Sequence, residues 1–230
     1  MKTRALAGFV LIAALAVSTA GPAIARDEEP AAAAPGVMAK GTFVRIGYND
    51  EGWVTLGYRT ANHSVGEEWM VLEVGLALQQ GVPSQTLKRS DIALLAPGRK
   101  IFTLASQENF QEAGYLTALN RRASVARDSI DYFPANVRSA CRVQFFANPT
   151  GESGVRLAHD VVELGSSRGC VGRLYFHLPD GIELGSYNLG VKFTHTMVTV
   201  PFRIMTSDEQ KELERKWKEA AEAAQEEKKQ

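Results

Sequence analysis

Apolar and polar residues alternate with a period of two along much of the chain after residue 40, the pattern of half-buried β-strands. The clearest stretch is 69–79, where every second residue is apolar: Met70, Leu72, Val74, Leu76 and Leu78. That row predicts a strand with one buried face. Shorter alternating stretches predict further strands at 42–48, 53–59, 140–147, 155–164, 170–178, 186–194 and 198–204, with two more across Pro97-Gly98 within 90–104.

The last two predicted strands carry their apolar residues in opposite phases. The first has them at 187, 189, 191 and 193, and the second at 198, 200, 202 and 204. A tight hairpin centred on His195 and Thr196 explains the change of phase more simply than a bulge within one strand. Pro201 lies in the terminal strand, and because proline lacks an N–H, that strand is predicted to be an edge.

Two segments depart from the two-residue period. Apolar residues within 106–123 are spaced as in a helix, and Ser106 is a candidate N-cap. From residue 207 onward the chain is rich in strong helix formers, and Ser207 with Gln210 matches a capping box. This C-terminal helix is predicted to be mostly solvated. Its narrow apolar stripe is the candidate surface for a partner protein or a second copy of the chain, and it consists of Leu213, Trp217, Ala220 and Ala224.

Tyr187 follows a strand end and a Pro-Asp-Gly turn, and it precedes the core residue Leu189 by two positions. This layout is that of a tyrosine corner, in which the phenol bonds to the backbone a few residues upstream. Asp180 is then explained by turn chemistry and is not expected to be catalytic.

Three segments carry a resemblance to a known family: YRTANHSV at 58–65, SDIALLAPGRKI at 90–101 and GRLYFHLPDGIELGSYNLGVKF at 172–193. They resemble telokin-like, immunoglobulin-like domains of bacterial secreted proteins and lipoproteins. The likeness covers most of 41–204 and departs from the family pattern at roughly 105–140, where a helix and a Pro-containing loop are inserted. It implies a sandwich used for binding or interaction, and it carries over no catalytic residue.

The predicted fold class is all-β: an immunoglobulin-like β-sandwich with a short helical insertion and a C-terminal α-helix. The predicted organisation is a signal peptide at 1–25, a disordered linker at 26–40, the sandwich at 41–205 with its insertion at about 106–123, and the helix at 206–230. The signal peptide is indicated by Lys2 and Arg4, by the apolar run that follows them, and by an Ala-Ile-Ala cleavage site before Arg26. A retained anchor is the alternative.

Export and charge limit the classes of function. The mature chain is expected in the periplasm or outside the cell, without a membrane span, and Cys141 and Cys170 occupy inward phases that predict one disulfide. The whole chain has 26 basic and 26 acidic residues, and removal of Lys2 and Arg4 leaves 24 and 26, a net charge of −2. Nucleic acid is therefore not an expected partner, because binding it requires a basic excess.

The sequence lacks a nucleophile elbow, a phosphate-binding loop and an H-E-x-x-H motif, so no enzymatic activity and no cofactor are predicted. His195 and Met197 are the only soft-ligand pair at a predicted loop tip, and copper sites use such ligands. The expected function is a non-catalytic exported interaction or assembly module of the cell envelope, with a protein partner or a second copy. The alternatives are a copper-handling, metal-binding periplasmic protein and, third, a hydrolase.

Overall fold

The computed structural model describes residues 36–106, 109, 116–125, 127–145 and 159–227. The predicted signal peptide and residues 26–35 of the predicted linker lie outside this description. The described chain is mostly β-sheet and ends in a helix, as the alternation predicts. Its strands are β1 (Val37–Ala39), β2 (Val44–Tyr48), β3 (Gly52–Gly57), β4 (Trp69–Leu78), β5 (Gln85–Lys88), β6 (Ile92–Leu95), β7 (Ile101–Thr103), β8 (Ser139–Val143), β9 (Val161–Leu164), β10 (Arg168–His177), β11 (Gly185–Lys192) and β12 (Met197–Ile204). Its helices are α1 (Arg59–Asn62), α2 (Leu116–Val125) and α3 (Ser207–Glu227).

The strands form two main sheets and one ribbon. The six-stranded sheet has the order β1-β2-β3-β4-β10-β8, the four-stranded sheet has the order β12-β11-β6-β7, and β5 pairs with β9. Neighbouring strands are antiparallel except β8 and β10, which are parallel. The predicted hairpin joins β11 to β12, with Lys192 opposite Met197 and the Phe193 N–H donating to Thr196 O at 2.8 Å. β12 is an edge strand, which leaves room for Pro201.

The inward faces of the two main sheets share one apolar core. Strands of the six-stranded sheet contribute Leu56, Leu72, Leu76 and Phe176, and strands of the four-stranded sheet contribute Leu94, Leu189, Val200 and Ile204. The alternation predicts one buried face for β4, but all ten of its residues are buried. The second face is covered because part of the inserted segment packs on it.

The inserted segment forms a third layer on the outer face of the six-stranded sheet. Leu119 and Ala123 of α2 pack with Trp69, Val71 and Tyr175. After α2, residues 127–138, which we call the strap, cross the same face, and the Trp53 indole and the Thr55 hydroxyl both donate to Tyr132 O.

Glycines in the strands provide the flat surface on which the strap lies. A Cβ added at Gly75 or at Gly169 would lie 3.0 Å from the Phe133 ring. The strap therefore packs directly against the backbone of two neighbouring strands.

The predicted disulfide is confirmed. Cys141 of β8 and Cys170 of β10 are bonded and stand opposite each other in the parallel register, with their Cα atoms 4.3 Å apart. Cys170 is fully buried, and Cys141 is half-buried against the core. The bond closes a loop with a sequence separation of 29, which corresponds to about 3–4 kcal/mol of stability from restriction of the unfolded chain. It also fixes the strand that follows the strap.

The first described strand lies earlier in the chain than the sequence predicts. Val37–Ala39, assigned to the linker, form β1 and pair with residues 45–47 of β2. The Tyr48 N–H donates to Gly36 O at 2.8 Å, next to the positive φ of Gly36. The three residues of β1 are too few to show an alternating pattern, so the sequence does not predict this strand. Its hydrogen bonds are supplied by β2.

The boundaries of the helices also differ from prediction. The capping box of α3 is formed by Thr206 and Glu209: the Thr206 Oγ1 accepts from the Glu209 N–H at 3.3 Å, and the Glu209 carboxylate accepts from the Thr206 N–H at 2.8 Å. The predicted pair of Ser207 and Gln210 is therefore wrong by one residue. A carboxylate interacts more favourably with a helix N-terminus than an amide does, and the Arg203 guanidinium also holds it, at 2.8 Å.

The predicted inserted helix is confirmed over residues 116–123, and α2 continues to Val125. At the predicted N-cap, the Ser106 Oγ accepts from the Asn109 N–H at 3.1 Å. Residues 107–108 and 110–115 lie outside the description.

Candidate functional site

The turn that contains Asp180 is closed by structural contacts. The Gly181 N–H donates to Leu178 O at 2.8 Å, and Gly181 has a φ of +83°. Asp180 is 70% exposed and pairs with Lys100 at 2.9 Å, and the same ammonium reaches Glu183 at 3.2 Å. These hydrogen bonds raise the pKa of Lys100. The arrangement is that of a surface ion-pair group.

Tyr187, the residue assigned to the tyrosine corner, is buried beside this turn. Its hydroxyl donates to Glu183 O at 2.9 Å and accepts from the Glu183 N–H at 3.0 Å. The ring stacks on Phe202 of the neighbouring strand. Burial raises the pKa of Tyr187, against the hydrogen bond with the Glu183 backbone. The phenol thus joins the turn to the core.

The tip that carries His195 and Met197 is organised by a buried carboxylate that the sequence did not predict as a site residue. Glu51 lies in the turn between β2 and β3, and it accepts from the Thr196 N–H at 2.9 Å, the Thr196 Oγ1 at 2.8 Å and the His195 N–H at 3.0 Å. Gln85 donates to it at 2.6 Å. Burial raises the pKa of Glu51, but these hydrogen bonds outweigh that effect and the net shift is downward.

The side chains of His195 and Met197 are exposed at this tip. Within the residues that the structure describes, no group of three or more His, Cys, Asp or Glu side chains is placed to hold a metal ion. The chemistry available to a metal at this tip comes from one imidazole and one thioether. Among the described residues, the tertiary structure adds no further ligand group to this pair.

The predicted stripe on α3 is divided between the protein body and solvent. Leu213 is half-buried and packs against the core, so part of its side chain is engaged within the chain. Trp217 is half-buried, Ala220 is exposed, and the side chain of Ala224 lies outside the description. The start of α3 therefore contacts the protein body through a few half-buried side chains, whereas all side chains from 218 to 223 are exposed, which agrees with the expectation of a mostly solvated helix.

Asn62 in α1 provides the polar part of this docking. Its side-chain oxygen accepts from the Met205 N–H at 2.7 Å, and its amide donates to the Gln210 side chain at 3.5 Å. Asn62 is buried, and its hydrogen bond to the Met205 N–H satisfies its side-chain oxygen where the chain enters α3.

A buried ion pair lies between the six-stranded sheet and the inserted layer. Glu73 is buried with its carboxylate 3.5 Å from the Arg173 guanidinium. Burial raises the pKa of Glu73, and the positive charges of Arg173 and Arg127 act in the opposite direction. Arg59 binds Asp128 of the strap through two hydrogen bonds, at 2.7 and 3.0 Å.

A carboxyl with a raised pKa beside an arginine is typical of acid–base sites. Here, however, the partners belong to packed layers. The Arg173 guanidinium also donates to Asn120 and Ser124 of α2. The cluster therefore fastens α2 and the strap to the sheet.

The outer face of the four-stranded sheet contrasts with the covered face of the six-stranded sheet. Its outward residues, which we call the open face, are Ala93, Leu95, Ile101, Thr103, Ser186, Asn188, Gly190, Lys192, Met197, Thr199, Pro201 and Arg203. Each of them is exposed or half-exposed, and none is acidic. Arg203 is paired with Glu209, whereas Lys192 has no ion-pair partner in the described part of the chain. The open face therefore presents apolar, small and basic groups to solvent.

No family model, no curated protein and no solved structure matches this chain. Over the described ranges, none of the helices has the length and apolarity required to cross a membrane. The class that the structure defines is thus a β-rich protein of two sheets that share one core, with one disulfide, one covered face and one open face.

Proposed function

We propose that this chain is a non-catalytic, exported interaction or assembly module of the cell envelope, built as an immunoglobulin-like β-sandwich. The two sheets that share one core support the sandwich class, and the disulfide supports an oxidising compartment outside the cytoplasm. The open face is the single observation that carries the interaction function.

The composition of the open face favours protein binding. Ile101 is 71% exposed, Met197 is 59% exposed, and Leu95 lies directly opposite Ile101 in the sheet. Small residues, Gly190 and Ala93, face each other at its centre and leave the surface low. An antiparallel sheet that only faces water normally carries polar and charged groups there. Exposed apolar side chains with few charges are characteristic of the core of a protein interface.

The exposed half of α3 is the second surface that this function can use. Trp217 is the aromatic residue at the start of that half, and aromatic residues are enriched among the side chains that dominate binding energy. The open face carries no acidic residue and few charges, which favours contact with another protein. The proposed partner is therefore a protein of the envelope.

Site-specific photo-crosslinking in the native envelope tests this function. A benzophenone amino acid at Thr199, on the open face, is expected to give a discrete adduct with another protein. The same probe at Thr86, an exposed strand threonine on the β5–β9 ribbon, is the matched control and is expected to give none. A third probe replaces Trp217 on α3. Adducts from this probe alone would assign the interaction to α3. Absence of adducts from both surfaces would contradict the interaction function.

A further inference from the structure

Within the described ranges, the backbone of β7 carries outward groups without a hydrogen-bond partner at the edge of the four-stranded sheet. β7 pairs only with β6, with Phe102 opposite Leu94, and the Ala96 N–H donates to Lys100 O at 2.8 Å. Hydrogen-bonded pairs alternate along an antiparallel ladder, so Phe102 faces β6, whereas Ile101 and Thr103 direct their N–H and C=O groups outward. No described residue is hydrogen-bonded to these outward groups.

The side chains of β7 hold this edge against the core and leave an uncharged surface. Phe102 is half-buried against the core, which fixes the strand in position. Ile101 and Thr103 are exposed and belong to the open face. An added strand would therefore gain backbone hydrogen bonds from the edge and side-chain contacts from the face, the usual basis of strand addition.

The opposite edge of the same sheet is protected. β12 carries Pro201 in its centre, and a Cβ added at Gly47 of β2 would lie only 3.2 Å from Thr199 O. Proline and close cover are common means of blocking an edge strand. β7 is only three residues long, which itself limits pairing, but it contains neither proline nor a charged residue.

An exposed arginine lies in the turn that leads into β7. Arg99 is exposed and has no ion-pair partner in the described ranges, whereas its neighbour Lys100 is neutralised by Asp180 and Glu183. Arg99 has a φ of +62° and is the one described residue other than glycine with a positive φ. An arginine held in a conformation that favours glycine indicates that the position uses its side chain, because such strain concentrates at functional sites.

We propose that β7 binds an extended segment of a protein partner as an added strand, and that an acidic residue of this segment pairs with Arg99. The inference rests on the proposed interaction function, and it specifies the edge and the chemistry of the partner. A carboxylate matches the planar guanidinium through two parallel hydrogen bonds. A second copy of the chain does not fit this role, because residues 96–106 contain no Asp or Glu to face Arg99 across an edge-to-edge pairing.

Defined peptides test the proposal on the mature chain, residues 26–230. The probes are a capped eight-residue peptide of alternating Thr and Val with Glu at both ends, the same peptide with Lys at both ends, and the Glu peptide with alternate backbone amides N-methylated. The Glu peptide is expected to bind at least tenfold more tightly than the Lys peptide and to protect the amides of Ile101 and Thr103 from hydrogen exchange. The N-methylated peptide, which lacks the donors for β7, is expected not to bind.

Variants at the cation complete the test. Arg99→Glu is expected to reverse the preference between the two charged peptides, and Arg99→Gly is expected to abolish the preference without lowering the Tm. Arg142→Glu, a change of an exposed strand arginine on β8, is the matched control and is expected to keep the preference.

Three results would overturn the proposal. Equal affinity for the Glu and Lys peptides would refute the acidic partner. Protection of Ile101 and Thr103 that increases with protein concentration alone would assign the edge to a second copy. If the peptides do not change the exchange of these amides but the Thr199 probe still forms adducts, the edge site is refuted and the proposed interaction function is not. If the Thr199 adducts are also absent, both proposals are refuted.

Discussion

Two glycines in central strands are expected to respond oppositely to replacement by alanine. Gly75 lies in β4 beneath the strap, where an added Cβ would be 3.0 Å from Ile130 O and 3.0 Å from the Phe133 ring. Gly190 lies in β11 on the open face, where the nearest atoms would be 3.5 Å away, at the Met197 sulfur, and 3.7 Å away, at Ala93 O. The first position is too tight for a methyl group, and the second allows ordinary contact.

The magnitudes follow from two opposing effects. Alanine restricts the unfolded chain and stabilises by about 0.4–1 kcal/mol where the native backbone accepts it. Overpacking in a filled space costs about 1–3 kcal/mol. Gly75→Ala is therefore expected to lower the free energy of unfolding by about 0.5–2 kcal/mol, and Gly190→Ala to raise it by about 0.5 kcal/mol.

Equilibrium unfolding in urea measures both changes, provided that the m-values stay equal. Amide hydrogen exchange across residues 127–138 shows whether the strap has been lifted, and protection is expected to fall in Gly75→Ala alone. If the two variants have the same stability and the same strap protection, the strap does not pack against the sheet as described.

Three further predictions concern single structural elements. Tyr187→Phe is expected to lower the free energy of unfolding by about 1–2 kcal/mol, because the buried backbone of Glu183 loses its hydrogen-bond partner. Asp180→Ala, at an exposed ion pair, is expected to change the free energy of unfolding by less than about 1 kcal/mol. Equal effects of the two variants in a urea titration would argue against the tyrosine corner. The pKa of Glu51 is lowered from its ordinary value of 4.5, so its stabilisation is complete above that pH and is lost as the pH falls through the folded pKa. Glu51→Gln should therefore reduce stability at pH 7 and weaken its dependence on pH below 4.5 in thermal unfolding, and an unchanged acid profile would contradict this role. Replacement of both Cys141 and Cys170 by alanine is expected to cost about 3–4 kcal/mol, and a variant that unfolds at the wild-type urea concentration would show that the bond adds little.

Much of the strand arrangement was predictable because alternation is a local property. The opposite phases before and after His195 led to the hairpin, and the inward phases of Cys141 and Cys170 led to the disulfide. In each case, residues two apart in sequence were sufficient, since the side-chain period of a strand is two. Pro201 likewise indicated an edge through the absence of its own N–H.

Other features depend on partners that are distant in sequence. Glu51 was part of an ordinary turn until the hairpin tip more than 140 residues later supplied its donors. The sequence placed Leu213 in an apolar stripe but did not show what the stripe contacts. The structure shows that Leu213 packs against the core. The cap at Thr206 was preferred because Arg203 also reaches Glu209, a contact that no capping pattern contains.

The sequence by itself determined the position of most of the strands and of the terminal helix, and which cysteines pair, because these follow from periodicity and residue chemistry along the chain. Only the tertiary structure decided that one sheet face is covered by the strap and the other is open. It also decided that β7 is an edge strand, next in the chain to an arginine that has no ion-pair partner among the described residues. Whether a sheet face is covered and whether a strand lies at an edge depend on which segments, distant in sequence, pack against that strand. A local sequence pattern contains no information about these distant contacts.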